Sequence, residues 1–234
     1  MSDTTPTVLL FDLDDTICQY RRSHDEVLAA AFDRCGVEPF FSVADFDRWV
    51  PRVEATSPLD LREQCFAAIG REQGRNPALG ERVAAAYRER DPRNIEFLPG
   101  ARAALETLGE QYTLGLVTNG GEATQRPKLD ALGIVDAFET IVFATPDAAI
   151  KPDPAPFHAA LSALGAEPSM AIHIGDSLAS DVAGAQAAGI DAVWLRSGTD
   201  ISGNKCEREH SGPVPEFVID SVAELRAPPF PWEP

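Results

Sequence analysis

From Pro99 onward the chain alternates short apolar runs with amphipathic stretches, and this alternation restricts the fold more than any other feature. Apolar runs at residues 112–117, 140–143, 170–174, 192–195 and 217–219 predict strands. Residues 101–109, 123–132, 156–164 and 179–188, between them, carry helical spacing. Another apolar run, residues 7–11, predicts a first strand near the N-terminus. Strands that alternate with helices predict a parallel sheet covered by helices on both faces, an α/β class. Right-handed crossovers bring the carboxyl ends of all such strands to one edge, where ligands bind in open α/β sheets.

The first strand is separated from the others by a long stretch of different texture. Ser23 precedes a helical pattern over residues 24–35, and Gly36 stops it. Further patterns cover residues 43–50, 59–73 and 77–90. Leu61, Cys65, Ala68 and Ile69 recur at spacings of three and four, as a one-sided helix requires. Residues 19–94 thus read as all-helical, without a strand. The predicted organisation is a core of residues 1–18 and 95–234, interrupted by a helical insertion at residues 19–94.

Composition narrows the partners. The net charge is −17, and Lys128, Lys151 and Lys205 are the only lysines. A strongly acidic surface repels nucleic-acid phosphate and anionic lipid, so neither is an expected partner. So much Asp and Glu with so little Lys also resembles a salt-adapted surface, which relies on screening. Cys18, Cys35, Cys65 and Cys206 are scattered, with no C-x-x-C pair, and read as reduced structural thiols. The first six residues show no basic region followed by an apolar one, so a cytoplasmic location is expected. Residues 197–215 are polar and aperiodic and read as a mobile surface loop. In the tail, residues 228–234, Phe230 and Trp232 stand between prolines and could either dock or fray.

The first strand ends in Asp12, Asp14 and Asp15. Residues two apart in an extended chain point the same way, so Asp12 and Asp14 can face one pocket. Two adjacent carboxylates repel each other and would repel a phosphate dianion. A divalent cation resolves both conflicts, and hard oxygen ligands favour magnesium. One carboxylate can then serve as nucleophile and the other as general acid and base. Thr118-Asn119-Gly120-Gly121 follows another strand; a hydroxyl beside glycine N–H groups at a helix start can cradle phosphate. Taken alone, that tetrapeptide is better read as a plain strand-to-helix turn. Lys151 is a point charge suited to phosphate and carboxylate, or a solvated surface residue. Gly175-Asp176-Ser177 ends the strand at residues 170–174, with Asp181 five residues beyond Asp176; Asp176 or Ser177 could equally be a helix N-cap.

These four features, in this order and each at a strand end, resemble the motifs of the haloacid dehalogenase (HAD) superfamily. Asp12-Leu13-Asp14-Asp15-Thr16 is similar to the first motif, Leu114 to Thr118 to the second, Lys151 to the third, and Gly175-Asp176 through Asp181 to the fourth. Many relatives place Asn before the last Asp, whereas this chain has Ser180. The resemblance implies a Rossmann-like core with an inserted helical cap, and a magnesium-dependent phosphatase acting on small phosphorylated metabolites. It implies Asp12 as nucleophile and metal ligand. Asp14 becomes the general acid and base, with its backbone carbonyl on the metal. Asp176 becomes a direct ligand and Asp181 a support for the metal shell. Thr118, Asn119, Gly120 and Lys151 would hold the phosphoryl oxygens. Within the superfamily, Asp14 argues against a dehalogenase, and the absence of lysine from residues 19–94 argues against a phosphonate hydrolase with a Schiff-base lysine. A sugar phosphomutase shares all four motifs. A phospho-accepting receiver module would carry its aspartate after a later strand and lack the insertion.

Overall fold

A computed structural model describes residues 6–53, 58–87, 94–196, 212–228 and 230–232 of the chain. Residues 88–90 of the last helix predicted in the insertion, Cys206, Lys205 and residues 197–211 of the predicted loop lie outside the described residues. The chain divides into two compact units, Met1–Gln19 with Ile95–Pro234, and Tyr20–Asn94.

The first unit is built on a six-stranded sheet. Its strands are β1 (Val8–Phe11), β4 (Thr113–Asn119), β5 (Thr140–Ala144), β6 (Ala171–Gly175), β7 (Asp191–Leu195) and β8 (Phe217–Ile219). Their spatial order is β5-β4-β1-β6-β7-β8, and every pairing is parallel. The crossovers β1 to β4, β4 to β5, β5 to β6 and β6 to β7 each include at least one helical segment, as parallel neighbours demand. The helices are α5 (Ala101–Gly109), α6 (Glu122–Leu132), α7 (Ala155–Leu164) and α8 (Ala183–Ala187). All four residues of β1 are buried, which explains its unbroken apolar run: a central parallel strand is covered on both faces. Val8 and Leu10 pack with Phe157, Ala160 and Leu161 of α7 and with Ala185 of α8. By the period of two, Leu9 and Phe11 face the other side. There α5 buries Ala101, Ala104, Leu105 and Leu108, the i, i+3, i+4, i+7 stripe of an amphipathic helix.

The tail docks. Phe230 is buried, stacks on Trp232 with ring centroids 5.5 Å apart, and meets Tyr112 edge-on at 6.0 Å. The Trp232 indole N–H donates to the Tyr112 hydroxyl at 3.1 Å.

The second unit is helical: α1 (His24–Cys35), α2 (Val43–Trp49), α3 (Pro58–Glu72) and α4 (Pro77–Tyr87). Ser23 and Glu26 form a reciprocal capping box at the start of α1, and Gly36 ends it in the left-handed conformation (φ 66°). Phe32, Phe40, Phe41 and Phe66 build its core, with neighbouring ring centroids 4.7–5.2 Å apart. One sequence expectation is corrected. Residues 19 and 20 are not helical but end a short strand, β2 (Cys18–Tyr20), paired with β3 (Ile95–Phe97). Three residues are too few to display a period of two, so sequence periodicity could not separate them from the helices that follow. Among the described residues no helix is long and apolar enough to cross a membrane.

Candidate active site

The sheet order places β1 between β4 and β6, so the residues after these three strands emerge side by side. Phe11 lies opposite Leu116 on one neighbour and Ile174 on the other. Asp12 therefore follows β1 beside the ends of β4 and β6, anchored by its N–H donating to the Ile174 carbonyl at 3.0 Å. Carboxylate oxygens of Asp12, Asp176 and Asp181 lie within 4.8 Å of one another.

Lys151 binds two of these three. Its Nζ donates to Asp12 Oδ1 and Asp181 Oδ1, both at 2.6 Å, and to the Val117 carbonyl at 2.9 Å. The ammonium is 3% exposed and all three of its protons are used. Asp181 is held on both oxygens. Its Oδ1 also accepts from His173 Nε2 at 3.0 Å, and its Oδ2 accepts from the Ser177 N–H at 3.0 Å. Asp181 is presented by a π-type helical segment, Leu178–Val182, that runs into α8. The Asp176 backbone is held by the Trp194 indole N–H, which donates to its carbonyl at 2.8 Å.

The electrostatics follow from burial. Burial pushes the Asp12 carboxyl above its usual range; Lys151 pulls it back, while Asp181 adds a second upward push. Burial likewise lifts Asp176 to about 8, helped by Asp12 and Asp181. Burial would raise Asp181 too, but the His173 hydrogen bond and the Lys151 charge outweigh it and hold this carboxyl low. Burial alone would neutralise Lys151; Asp12 and Asp181 reverse that and keep it charged. Burial keeps His173 neutral, so it serves as a donor through Nε2–H. Three acidic groups thus cluster around one ammonium that bonds only two of them. A divalent cation would balance the excess charge, and an all-oxygen donor set suits magnesium. Asp181 already accepts three hydrogen bonds from within, so Asp12 Oδ2 and Asp176 fit best as the carboxylate ligands.

The Asp14 carboxylate is not among the clustered oxygens. It accepts from Lys128 Nζ at 2.7 and 2.6 Å and from Gln125 Nε2 at 2.9 Å. The same Gln125 amide donates to Thr118 Oγ1 at 2.7 Å. Asn119, Gly120 and Lys151, expected to hold the phosphoryl oxygens, also have partners within the protein. The Asn119 amide donates to the Lys151 carbonyl at 3.1 Å and accepts the Lys151 N–H at 2.8 Å, clamping that residue's backbone. The Gly120 N–H donates to the Ala144 carbonyl at 2.8 Å. Lys151 turns its charge on the Asp12 carboxylate. Buried donors seek acceptors, and here the protein itself supplies them.

Gln125, Lys128 and His173 are the site residues that sequence reasoning missed. Lys128 had a signal, as one of three lysines placed one helix after Thr118. His173 had none, since a lone histidine in an apolar strand reads as core.

Gly175 makes Asp181's position possible. A Cβ there would stand 2.4 Å from Asp181 Cγ, too close for both to remain in place. Gly175→Ala is therefore expected to cost the ~1–3 kcal/mol typical of overpacking. For a chain of this size that lowers the thermal midpoint by roughly 2–12 °C. A melt indistinguishable from wild type would show that Asp181 is not fixed by this contact.

A family model described as haloacid dehalogenase-like hydrolase matches residues 6–189. The chain is 32% identical over 222 residues to phosphoserine phosphatase of Thermus thermophilus, covering 82% of this chain and 89% of the relative. It is 30% identical over 153 residues to the human N-acylneuraminate-9-phosphatase, covering 65% of this chain and 59% of that one. Among solved structures, the HAD-hydrolase YfnB from Bacillus subtilis bound to magnesium shares the fold with a TM-score of 0.71. It is 24% identical, over 95% of this chain and 97% of that one.

Proposed function

The chain belongs to the haloacid dehalogenase-like hydrolase family and is a phosphoric monoester hydrolase, and we propose that it cleaves its substrate through a covalent phosphoryl-Asp12 intermediate at a magnesium site. Its phosphatase relatives act on small phosphorylated molecules, and so does this chain. The observation that carries the mechanism is Asp12 itself. It ends the central strand, it is buried, and Lys151 fixes only Oδ1, so that Oδ2 has no protein donor among the described residues.

In the first step an Asp12 oxygen bonds to phosphorus as the bond to the leaving oxygen breaks, and Asp14 gives that oxygen its proton. In the second step water attacks phosphorus, its proton passes to Asp14, and the bond to Asp12 breaks, releasing phosphate. Asp12, Asp176 and the Asp14 backbone carbonyl would hold magnesium, which when bound neutralises charge on the phosphoryl oxygens. Lys151 keeps Asp12 oriented and lowers the cost of its negative charge. Thr118 accepts from Gln125 and so has its own O–H to donate to a phosphoryl oxygen. Asp181, locked by Lys151, His173 and Ser177, holds the ammonium in place rather than binding metal. None of these groups addresses the remainder of a substrate. We therefore assign substrate choice to the helical unit Tyr20–Asn94. A cytoplasmic location fits a small-metabolite phosphatase with reduced thiols at Cys18, Cys35 and Cys65.

Phosphate release from a panel of phosphorylated amino acids, sugars, glycolate and nucleosides, in magnesium, tests this function. At least one should be turned over with kcat/KM in the usual enzymatic range, above about 10⁴ M⁻¹s⁻¹. A pure protein inert toward the whole panel and toward p-nitrophenyl phosphate would refute the assignment.

A further inference from the structure

Helix α6 starts directly after β4, and on it Gln125 and Lys128 stand three residues apart, on one face. Both are buried, at 1% and 3% exposure. An ammonium loses several kcal/mol of hydration on burial unless it is paired, so the Lys128 position needs a partner. That partner is Asp14, with both carboxylate oxygens within 2.7 Å of Nζ. The pair is lopsided. The Lys128 side chain is 4% exposed, whereas that of Asp14 is 36% exposed. The cation is a fixed internal post, and the carboxylate it holds is open to arriving molecules.

Gln125 ties this pair to the phosphoryl-binding side. A carboxylate can only accept, so the amide nitrogen, not its oxygen, must face Asp14. The same nitrogen donates to Thr118 Oγ1, which fixes the acid–base carboxylate and the phosphate-directed hydroxyl relative to each other. The backbone makes room for it. Gly120 has φ 134°, and a Cβ there would sit 3.2 Å from Gln125 Cγ and Cδ.

We propose that Lys128 and Gln125 are positioning residues for proton transfer, holding the Asp14 carboxylate in register with the Thr118 hydroxyl so that it reaches the leaving oxygen. The inference rests on the phosphatase reading above. It makes a prediction about leaving groups that a merely structural ion pair does not. An alkoxide needs a proton as it departs, and Asp14 supplies it; p-nitrophenolate departs without one. Disturbing Asp14 through its holders should therefore harm alkyl esters selectively.

The test is kcat/KM in magnesium for p-nitrophenyl phosphate against two alkyl esters, O-phosphoserine and glycerol 3-phosphate, in wild type, K128M, K128R, Q125L, D14N and the D14N/K128M pair. Loss of positioned acid catalysis is worth about 10²–10⁴. K128M should lose about a hundredfold on whichever alkyl ester the wild type turns over, and at least ten times less on p-nitrophenyl phosphate. K128R should recover part of the alkyl activity, Q125L should show the same selectivity at smaller size, and D14N/K128M should be no worse than D14N. Equal losses on both leaving groups, or an additive double variant, would overturn the inference while leaving the phosphatase assignment standing. If circular dichroism shows K128M unfolded, Q125L decides by the same ratio. Where the wild type turns over neither alkyl ester, its best alkyl substrate from the panel above replaces them, and a wild type inactive on p-nitrophenyl phosphate and on that whole panel would overturn the phosphatase reading and this inference together.

Discussion

An Asp12→Asn variant is expected to fold and to lose phosphatase activity by at least a thousandfold, in line with removal of a covalent nucleophile. Asparagine has the shape of aspartate, and its Oδ1 can still accept from Lys151, so the geometry at the end of β1 should survive. Its amide cannot attack phosphorus. The stability effect should be small or favourable. Asp12 pays for burial and for the nearby Asp181 charge, and a neutral amide removes both penalties. The measurement is phosphate release over a range of enzyme concentrations, paired with a thermal melt without metal. Activity within about tenfold of wild type, in a mass-verified variant, would rule out the covalent route through Asp12. A variant that melts many degrees lower would instead place Asp12 among the structural residues.

The second large effect concerns metal. Activity should vanish in excess EDTA and return with magnesium but not with calcium, whose longer bonds and higher coordination number would misplace the phosphoryl group. The carboxyl shifts add a pH signature. Burial and mutual repulsion raise Asp176 to about 8 and lift Asp12 as well, so the metal-free site keeps protons near neutrality. Magnesium needs the carboxylates and must displace those protons, so its apparent affinity should rise with pH between about 6 and 8, by up to tenfold per unit for each proton displaced. Stability moves in the same sense. An acid whose folded pKa is raised destabilises the fold as pH climbs above its unfolded value, about 3.9 for Asp, and the cost is complete above about 8. Magnesium relieves that cost, so the gain in melting temperature at saturating magnesium should be larger at pH 8 than at pH 6. A gain that is flat with pH, or turnover that persists in EDTA, would contradict the assigned ligands Asp12 and Asp176.

Both effects share one cause. Asp12, Asp176 and Asp181 crowd together because the adjacent parallel strands β1 and β6 end side by side, and Lys151, the one ammonium among them in the described residues, is fully committed to two of the three. A second ammonium, Lys128, is committed to Asp14. The protein has in effect sorted its acidic groups, each lysine defining what its partner can do.

The sequence by itself was enough for the α/β class and for most of the strands and helices. Those signals are local. The apolar run before Asp12, the Gly36 stop and the turn after residues 112–117 are each written within a few residues, and backbone sterics convert them directly into structure. The strand β2 escaped because three residues hold too little pattern. What only the tertiary structure decided is which donor meets which acceptor. Lys151 lies 139 residues from Asp12 and Lys128 lies 114 from Asp14, and no periodicity links such positions. Sequence reasoning aimed Lys151 at phosphate or a carboxylate and Asn119 at phosphate; in the fold Lys151 bonds the Asp12 and Asp181 carboxylates, and the Asn119 amide clamps the backbone of Lys151. Residue type and strand position say that a charged group reaches the site. Its direction there is set by burial, because a desolvated donor takes the nearest acceptor, and which acceptor is nearest is known only once the sheet has closed.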